Sequence, residues 1–373
     1  MELTLSEEQR QIAAAVEDLL ARESDSAAMR RAAFEHRGFD ASLWRQVADL
    51  GACGVHLPEA CGGLGLGITE VVLAAEAFGR RLACVPWFES TVLAGTTLLL
   101  VDDATASARW LPGIADGSSI ATLDIGLVAA PRAWATRQAH GWRLDGALPA
   151  VPAAACASTL LLTAGSDEGE LLIALPLDAP GVQRHGVPTH DATRPLAQVR
   201  LHEVEIDAAA VLRRGRAAMR AVDLTRQVAN VVLAAEQVGV AQQCLDLTVA
   251  YLGQRVQFGR PLASFQALKH RCAQMMVAVE LARSAVLGAA RGLDDRPDAT
   301  GLLRLSSTAR CQADEAAQFC AQEAIQLHGG VGFTWEFDPQ LYFKRAQASR
   351  TWLGTPAYWR ERAAALWLDG VGR

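Results

Sequence analysis

Apolar residues recur at intervals of three and four positions along the first third of the chain. Ile12, Val16 and Leu19 are the first such set, and this spacing places apolar side chains on one face of an α-helix. Ser6 precedes the set and is a residue type that caps helix N-termini. Helix-breaking residues fall between the similar runs that follow, so the pattern predicts an all-helical domain over residues 1–118.

The pattern then changes to short alternating or β-rich runs. Turns rich in Gly, Pro and Asp separate these runs, as expected for strands of a small antiparallel domain. The runs lie at residues 141–146, 159–164, 171–177 and 196–204. They predict a small β-barrel or β-sandwich as a middle domain over residues 119–207.

Helical periodicity returns after residue 208 and continues to the C-terminus. Four long periodic segments lie at residues 217–252, 264–293, 300–327 and 340–368. Segments of this length with one apolar face predict a four-helix bundle over residues 208–373. The whole chain is therefore predicted to be mainly α, with a β domain in the middle.

Composition and charge narrow the class of protein. The 373 residues are 51% hydrophobic, which is enough to bury a large core in two or three domains. The longest apolar stretches, such as residues 92–101, are shorter than the roughly 20 residues that cross a bilayer. Together with a polar amphipathic N-terminus, this predicts a cytoplasmic protein with no membrane span. The net charge of -6 argues against a nucleic-acid partner.

The eight cysteines are scattered and form no CxxC pair. A chain of this size with such spacing does not suggest a disulfide framework or a zinc site. We expect reduced thiols, mostly in the core, and no metal centre.

Two glycine-containing motifs stand out in the last third of the chain. They are Arg255-Val256-Gln257-Phe258-Gly259, followed by Gln266, and Gln326-Leu327-His328-Gly329-Gly330-Val331-Gly332-Phe333. Glycines allow backbone to approach a ligand closely, and an arginine fork suits a pyrophosphate. Taken singly, the second motif is typical of a helix C-cap or turn, and the first of a helix end with a solvated arginine.

In their order and spacing, these motifs resemble the FAD-binding residues of the acyl-CoA dehydrogenase family. Residues 57–65 are similar to the family's PExxGGxG turn, and residues 191–197 to a turn that enters a barrel strand; both are interpreted as turns without a ligand. The resemblance implies an N-terminal helical domain, a small β-barrel and a C-terminal four-helix bundle. It also implies FAD as cofactor, with its adenosine half reaching a neighbouring subunit.

The resemblance assigns roles to individual residues. Arg255 would contact the pyrophosphate, Phe258 the adenine or ribose, and Gln266 the adenosine half across a dimer. The remaining residues assigned to the cofactor are Gln326, Leu327, His328, Gly329 and Gly330 of a neighbouring chain, and Thr355. His328 would position backbone or touch the ribityl chain. This arrangement requires an oligomer.

The usual catalytic base is missing. The family's glutamate before Gly-Thr falls on Leu353, and the alternative base position falls on Ala229. Glu236, on an otherwise apolar helix, is a candidate for a relocated base, although a structural pair with a bundle arginine also explains a buried glutamate. Asp124 and Glu336 are weaker candidates because both lie in turns. The middle-domain loop at residues 122–126 also departs from the family's flavin-contacting loop.

Chains of this kind resemble the base-lacking subunits of α2β2 acyl-CoA dehydrogenases, which act on bulky CoA thioesters such as steroid or bile-acid side chains. A paralogous subunit would then supply the glutamate, and an electron-transfer flavoprotein would accept the electrons. Two alternatives stay open. The chain could be a homotetrameric acyl-CoA dehydrogenase whose base is Glu236, or a non-catalytic protein that binds FAD or an acyl-CoA.

Overall fold

The computed structural model describes residues 4–126, 133–295 and 298–370. Within these residues the chain forms two compact units. The first is drawn from Met1–Arg30, Ile68–Ala83 and Asn230–Arg373, and the second from Arg31–Gly67 and Cys84–Ala229. The expected three-domain division at residues 118/119 and 207/208 stays a prediction.

Helices dominate the first unit and the N-terminal part of the second. They are α1 (Glu7–Glu23), α2 (Ser26–Phe34), α3 (Ala41–Asp49), α4 (Ile68–Arg81), α5 (Thr96–Val101), α6 (Ala104–Ala115), α7 (Gly215–Gln254), α8 (Gln266–Asp294), α9 (Ala299–His328), α10 (Pro339–Ser349) and α11 (Pro356–Gly370). Ser6 caps α1 as predicted: its side chain accepts from the Gln9 N–H, and the Gln9 side chain accepts from the Ser6 N–H. This reciprocal pair is a capping box.

Backbone contact between α4 and α7 defines the core of the first unit. A Cβ on Gly79 would lie 2.0 Å from the Glu236 carbonyl oxygen, and a Cβ on Gly239 would lie 1.9 Å from that of Glu76. No side chain fits at either point. Glycine is therefore required at both positions for the helices to pack this closely.

The fourth predicted segment of the bundle is two helices. Helix α10 ends at Ser349, and α11 begins at Pro356. Between them Leu353 has φ +57° and Gly354 has φ +122°, values that a helix does not contain. Proline suits the first position of α11 and disfavours helix in the residue before it. Expecting one helix over residues 340–368 was wrong for this local reason.

The β-strands of the second unit form two four-stranded sheets. They are β1 (Ala121–Leu123), β2 (Ala133–Gln138), β3 (Gly141–Pro152), β4 (Thr159–Ala164), β5 (Leu171–Pro176), β6 (Val182–Val187), β7 (Leu196–Asp207) and β8 (Val211–Arg214). The sheet orders are β1-β4-β5-β8 and β2-β3-β7-β6. A parallel bridge between Trp134 and Gly165 joins the two sheets. Both contribute to one apolar core that includes Trp142, Leu162 and Val199, as expected of a small barrel or sandwich.

A π-helical segment, Phe88–Gly95, leads into α5. All of its residues are buried, and π-helical geometry is rare and frequently found at functional sites. Glu89 of this segment lies 3.5 Å from Arg194. The periodicity of the sequence gave no sign of this segment.

Helix α8 differs from the other long helices in its exposure. Its length and apolar composition would allow it to cross a membrane, but core helices of soluble proteins often have the same length and composition. In its most apolar stretch, 28% of the helix is buried. Met276, Val277 and Leu281 are exposed on it. The helix itself was predicted at residues 264–293, and polar residues between its apolar ones keep it from forming a continuous apolar run.

Candidate functional site

A tight hairpin follows α7 and carries the first predicted motif. Strands β9 (Val256–Gln257) and β10 (Arg260–Pro261) pair in antiparallel register around a two-residue turn. Phe258 and Gly259 both have positive φ, +56° and +76°, the requirement of a type I′ turn. A phenylalanine seldom adopts this conformation, and its side chain is 83% exposed. The hairpin therefore holds an aromatic ring in solvent at a conformational cost.

Arg255 is anchored through its backbone and has a free side chain. Its N–H donates to the Tyr251 carbonyl at 2.9 Å, and its carbonyl accepts from the Leu262 N–H at 2.8 Å. Across the described ranges, the exposed guanidinium makes no ion pair or hydrogen bond. The cation is available to an anion from outside this chain.

The N-terminus of α8 lies close behind the hairpin in sequence. Gln266, its exposed first residue, follows Phe265, which provides no side-chain cap. The unpaired N–H groups and the dipole of a helix N-terminus attract anions. Phe265 also contacts Phe258 edge-on at 6.2 Å. Gln266 is thus placed where a negatively charged or polar ligand is favoured.

His328 fixes the C-terminus of α9. Its Nδ1–H donates to the Ala324 carbonyl at 2.6 Å, and its ring stacks on Tyr251 at 4.4 Å between centroids. Burial lowers the pKa of His328, so the ring is held neutral. These contacts fit the predicted role of positioning backbone. Among its neighbours in the motif, Gln326 is exposed and Leu327 is half-buried.

The glycines after His328 serve two different purposes. A Cβ on Gly332 would lie 2.7 Å from the Ile325 carbonyl oxygen, so this glycine is required for packing. A Cβ on Gly329 or Gly330 would meet nothing within 4 Å. Gly329 has φ +65° and ψ -146°, a region that almost only glycine occupies. Gly329 and Gly330 therefore leave an open backbone face, which fits a pyrophosphate or a polar group of a neighbouring chain.

Thr355 has a structural role in the chain. Its Oγ1 accepts from the Tyr358 N–H at 3.3 Å and its carbonyl accepts from the Trp359 N–H at 3.1 Å, at the start of α11. The residue is exposed. A role at the cofactor stays a prediction.

The two usual base positions hold buried apolar side chains. Leu353 lies in the turn before α11, and Ala229 lies inside α7. Asn230, next to Ala229, donates from Nδ2 to the Ser306 carbonyl at 3.3 Å. Neither position provides a group that takes up a proton.

The three candidate carboxylates lie in different environments. Glu236 accepts from Arg345 at 2.8 Å, and the two residues are 4% and 3% exposed. Asp124 is buried and accepts from the Gly126 N–H at 3.2 Å. Glu336 is exposed, and a hydrogen bond from Thr334 lowers its pKa. The ion pair with Arg345 agrees with a structural role for the buried Glu236.

A row of buried polar residues joins α7 and α9, and sequence reasoning missed it. We call it the polar seam, and it consists of Asn230, Gln237, Ser306, Arg310 and Asp314. Gln237 donates to Oδ1 of Asp314, and Nε of Arg310 donates to Oδ2 of Asp314 at 2.9 Å. The seven-residue spacing of Asn230 and Gln237, on one face of α7, was the available signal.

The middle-domain loop uses its polar atoms within the second unit. Thr122 Oγ1 donates to the Pro152 carbonyl at 2.8 Å. Arg226 donates to the carbonyls of Ile125 and Gly126 at 2.8 and 3.0 Å. Within the described residues, these polar atoms of the loop are therefore engaged inside the second unit.

The cysteines form no disulfides in the structure. All eight cysteines are free thiols, and burial raises the pKa of Cys53 and Cys156 to about 12. In the part of the chain that the structure describes, no cluster of three or more potential ligands could hold a metal ion.

Comparisons with known proteins cover most of the chain. Residues 6–118 match the family described as "Acyl-CoA dehydrogenase, N-terminal domain", and residues 213–366 match "Acyl-CoA dehydrogenase, C-terminal domain". The acyl-CoA dehydrogenase IpdE2 of Mycobacterium tuberculosis is 34% identical over 363 residues, 95% of each chain.

Two solved assemblies contain similar chains. A chain of the ChsE4-ChsE5 complex from Mycobacterium tuberculosis has a TM-score of 0.90 and 26% identity, and 99% of both chains are covered. A chain of a variant of the Tcur3481-Tcur3483 steroid ACAD has a TM-score of 0.87 and 31% identity, covering 99% of this chain and 100% of that one.

Proposed function

Because the chain belongs to the acyl-CoA dehydrogenase family of flavin-dependent oxidoreductases that act on CH–CH bonds, we propose that it is the base-lacking subunit of a heteromeric member. The missing base carries this proposal. Leu353 and Ala229 occupy the two base positions, and Glu236 is already bound to Arg345. A paralogous subunit would supply the glutamate.

Two similar chains support the partner and the substrate class. One comes from a complex of two differently named proteins, ChsE4 and ChsE5, and the other from a two-component steroid ACAD. The second is 31% identical over almost all of this chain. We therefore assign steroid-type CoA thioesters, with bulky ring-bearing acyl groups, as the substrate class. An electron-transfer flavoprotein would be the electron acceptor, and the enzyme would work in the cytoplasm.

FAD fits the residues at the hairpin and the glycine turn. The cofactor supplies an acceptor for the hydride that leaves the acyl chain. Arg255 offers an unpaired guanidinium to the pyrophosphate, and charge-assisted hydrogen bonds of this kind are the strong ones. Phe258 offers an exposed ring to the adenosine half, and Gln266 an uncapped helix end. Gly329 and Gly330 offer open backbone to the cofactor of a neighbouring subunit.

Assembly explains two further properties of the first unit. The apolar face of α8, with Met276, Val277 and Leu281, is exposed, and exposed apolar patches of this kind mark protein interfaces. Most residues that would contact FAD are also exposed on this chain, namely Arg255, Phe258, Gln266, Gln326, Gly329 and Gly330. Both properties favour a tetramer in which bundle helices of this subunit and of its paralogue meet.

The test is a dehydrogenation assay with an artificial electron acceptor, run on the chain alone and on the chain co-purified with a paralogue that has the glutamate. Short, long and steroid-type CoA thioesters serve as substrates. We expect no turnover by the chain alone, because a missing general base costs on the order of 10²–10⁴ in rate. The paralogue should restore turnover on the steroid-type thioester, and Glu→Gln in the paralogue should abolish it.

Glu236→Gln is the matched variant in this chain, and it should leave the turnover of the complex nearly unchanged. Turnover by the isolated chain that disappears on Glu236→Gln would overturn the proposal in favour of a homotetramer with a relocated base. Binding of FAD without turnover in the presence of any paralogue would instead identify a non-catalytic binding protein.

A further inference from the structure

Arg310 is a fully buried arginine that joins α9 to the end of α10. It is 0% exposed. Its Nε donates to Asp314 at 2.9 Å, and its Nη2 donates to the Ser349 carbonyl at 2.5 Å. Ser349 is the last residue of α10, directly before the turn that leads to α11. One guanidinium therefore contacts both a bundle helix and the start of that turn.

The Ser349 carbonyl belongs to a helix end, where the last four carbonyls have no donor within the helix. Ser349 is buried, so water cannot easily satisfy its carbonyl, and a buried carbonyl needs a partner. The Trp352 N–H donates to it at 3.2 Å, in the turn itself. Arg310 adds a charged donor to the same oxygen. The Ser349 carbonyl oxygen therefore accepts one hydrogen bond from the turn and one from α9.

Asp314 connects this contact to α7 through the polar seam. Gln237 of α7 donates to the Asp314 carboxylate, which holds Arg310 in turn. Burial lowers the pKa of Arg310, which reflects the cost of removing the charge from water. Well-packed apolar residues usually fill such a site with equal or greater stability. Stability alone therefore does not explain an arginine here.

We propose that Arg310 is a positioning residue for the turn at residues 350–355, which carries Leu353, Gly354 and Thr355. Leu353 in this turn has φ +57°, and a residue other than glycine keeps such a backbone only when its surroundings hold it. Arg310 fixes the first residues of the turn from inside the bundle. The use of the fixed turn, to present Thr355 to the cofactor, rests on the proposed function.

Arg310→Lys tests the positioning role. A lysine keeps the charge next to Asp314, but its compact ammonium lacks the planar fork that reaches two partners at fixed geometry. The N–H groups of Thr351 and Trp352 donate to the Ala348 and Ser349 carbonyls at the end of α10, so their hydrogen exchange reports on how the turn is held. We expect their exchange to accelerate about tenfold.

Arg345→Lys is the matched control, because Arg345 is equally buried and pairs with Glu236. It should leave exchange at Thr351 and Trp352 within about twofold of the wild type. Unchanged exchange in Arg310→Lys, or equal acceleration in both variants, would overturn the proposal. Exchange is measured on the chain without cofactor, so this result does not depend on the proposed function.

FAD titration of the complex with the paralogue tests whether the turn presents Thr355 to the cofactor. Arg310→Lys should weaken FAD binding about fivefold, as indirect loss of one hydrogen bond predicts, and Arg345→Lys should not. Arg310→Met removes both contacts and should give a larger effect in the same two measurements if it folds. Accelerated exchange with unchanged FAD affinity keeps the positioning role and overturns the link to the cofactor. Failure of the wild-type complex to bind FAD refutes the proposed cofactor alone.

Discussion

Oε1 of Glu236 on α7 accepts a hydrogen bond of 2.8 Å from Nη1 of Arg345 on α10, with both side chains buried in the first unit. A carboxylate in this position is neutralised by its partner. Taking up a proton from a substrate would cancel the negative charge of Glu236 and leave Arg345 buried without its counter-charge.

Glu236→Gln should therefore destabilise the protein while sparing turnover of the complex. Breaking a buried ion pair from one side costs about 3 kcal/mol, to be measured by chemical denaturation. The matched control is Glu280→Gln, because the Glu280 side chain is exposed and its partner Arg283 keeps its ion pair with Glu76; it should cost less than about 1 kcal/mol. Full stability of Glu236→Gln combined with lost turnover would point to catalysis by Glu236.

Arg255→Ala should weaken FAD binding without affecting the fold. The guanidinium has no partner in the described chain and is exposed, so its loss costs little stability. Loss of a charge-assisted contact of about 1.5–3 kcal/mol predicts a decrease in FAD affinity of roughly 10–150-fold. Arg220→Ala, at an exposed arginine near the start of α7, should bind FAD like the wild type. If Arg255→Ala and Arg220→Ala bind FAD with equal affinity, Arg255 does not contact the cofactor.

Leu281→Glu should weaken assembly. Leu281 is 58% exposed on the apolar face of α8, and a charge buried at an interface opposes association. Light scattering on the complex with the paralogue should show smaller species for this variant. Leu64→Glu, at an exposed leucine in the glycine-rich turn, should assemble normally. If the Leu281→Glu complex has the same molar mass as the wild-type complex, α8 is not part of the interface.

His56 should make the stability of the protein fall in mild acid. Burial lowers the pKa of His56 from 6.5 to about 4, so between these values the unfolded chain binds more protons than the folded one. Its contribution is fully present above pH 6.5 and decreases as the pH falls towards 4, by up to about 3 kcal/mol. Chemical denaturation at several pH values between 7 and 4 measures this change in the free energy of unfolding. His56→Gln should flatten this part of the profile, whereas His140→Gln, at an exposed histidine, should not.

Sequence periodicity predicted the regular elements well. The segment predicted at residues 217–252 is α7 (Gly215–Gln254), and the run at residues 159–164 coincides with β4. These elements could be predicted because the spacing of apolar residues within each segment shows which face is buried. Strand β6 was missed because it is a largely exposed strand at the edge of its sheet, so no alternation of apolar residues marks it.

Less of the candidate site than of the fold follows from local sequence. The order and spacing of two motifs pointed to Arg255 and the glycine turn, and their contact with FAD stays a prediction. The partner of Glu236 was not predictable, since Arg345 is one of many arginines and their pairing depends on how α7 and α10 pack. The break before α11 was missed although Gly354 and Pro356 mark it in the sequence. Apolar periodicity continues on both sides of these residues, and it was interpreted as a single helix.

The glycine contacts between α4 and α7 bear on how this protein is made. Gly79 leaves the ribosome long before Gly239, yet each needs the other helix to cover its bare backbone. Such non-local contacts delay folding and leave intermediates exposed. The segment at residues 213–366, although recognisable as a domain, would present an uncovered groove along α7 if expressed alone. We expect it to aggregate unless residues 68–83 are supplied with it, as a peptide or a fused segment.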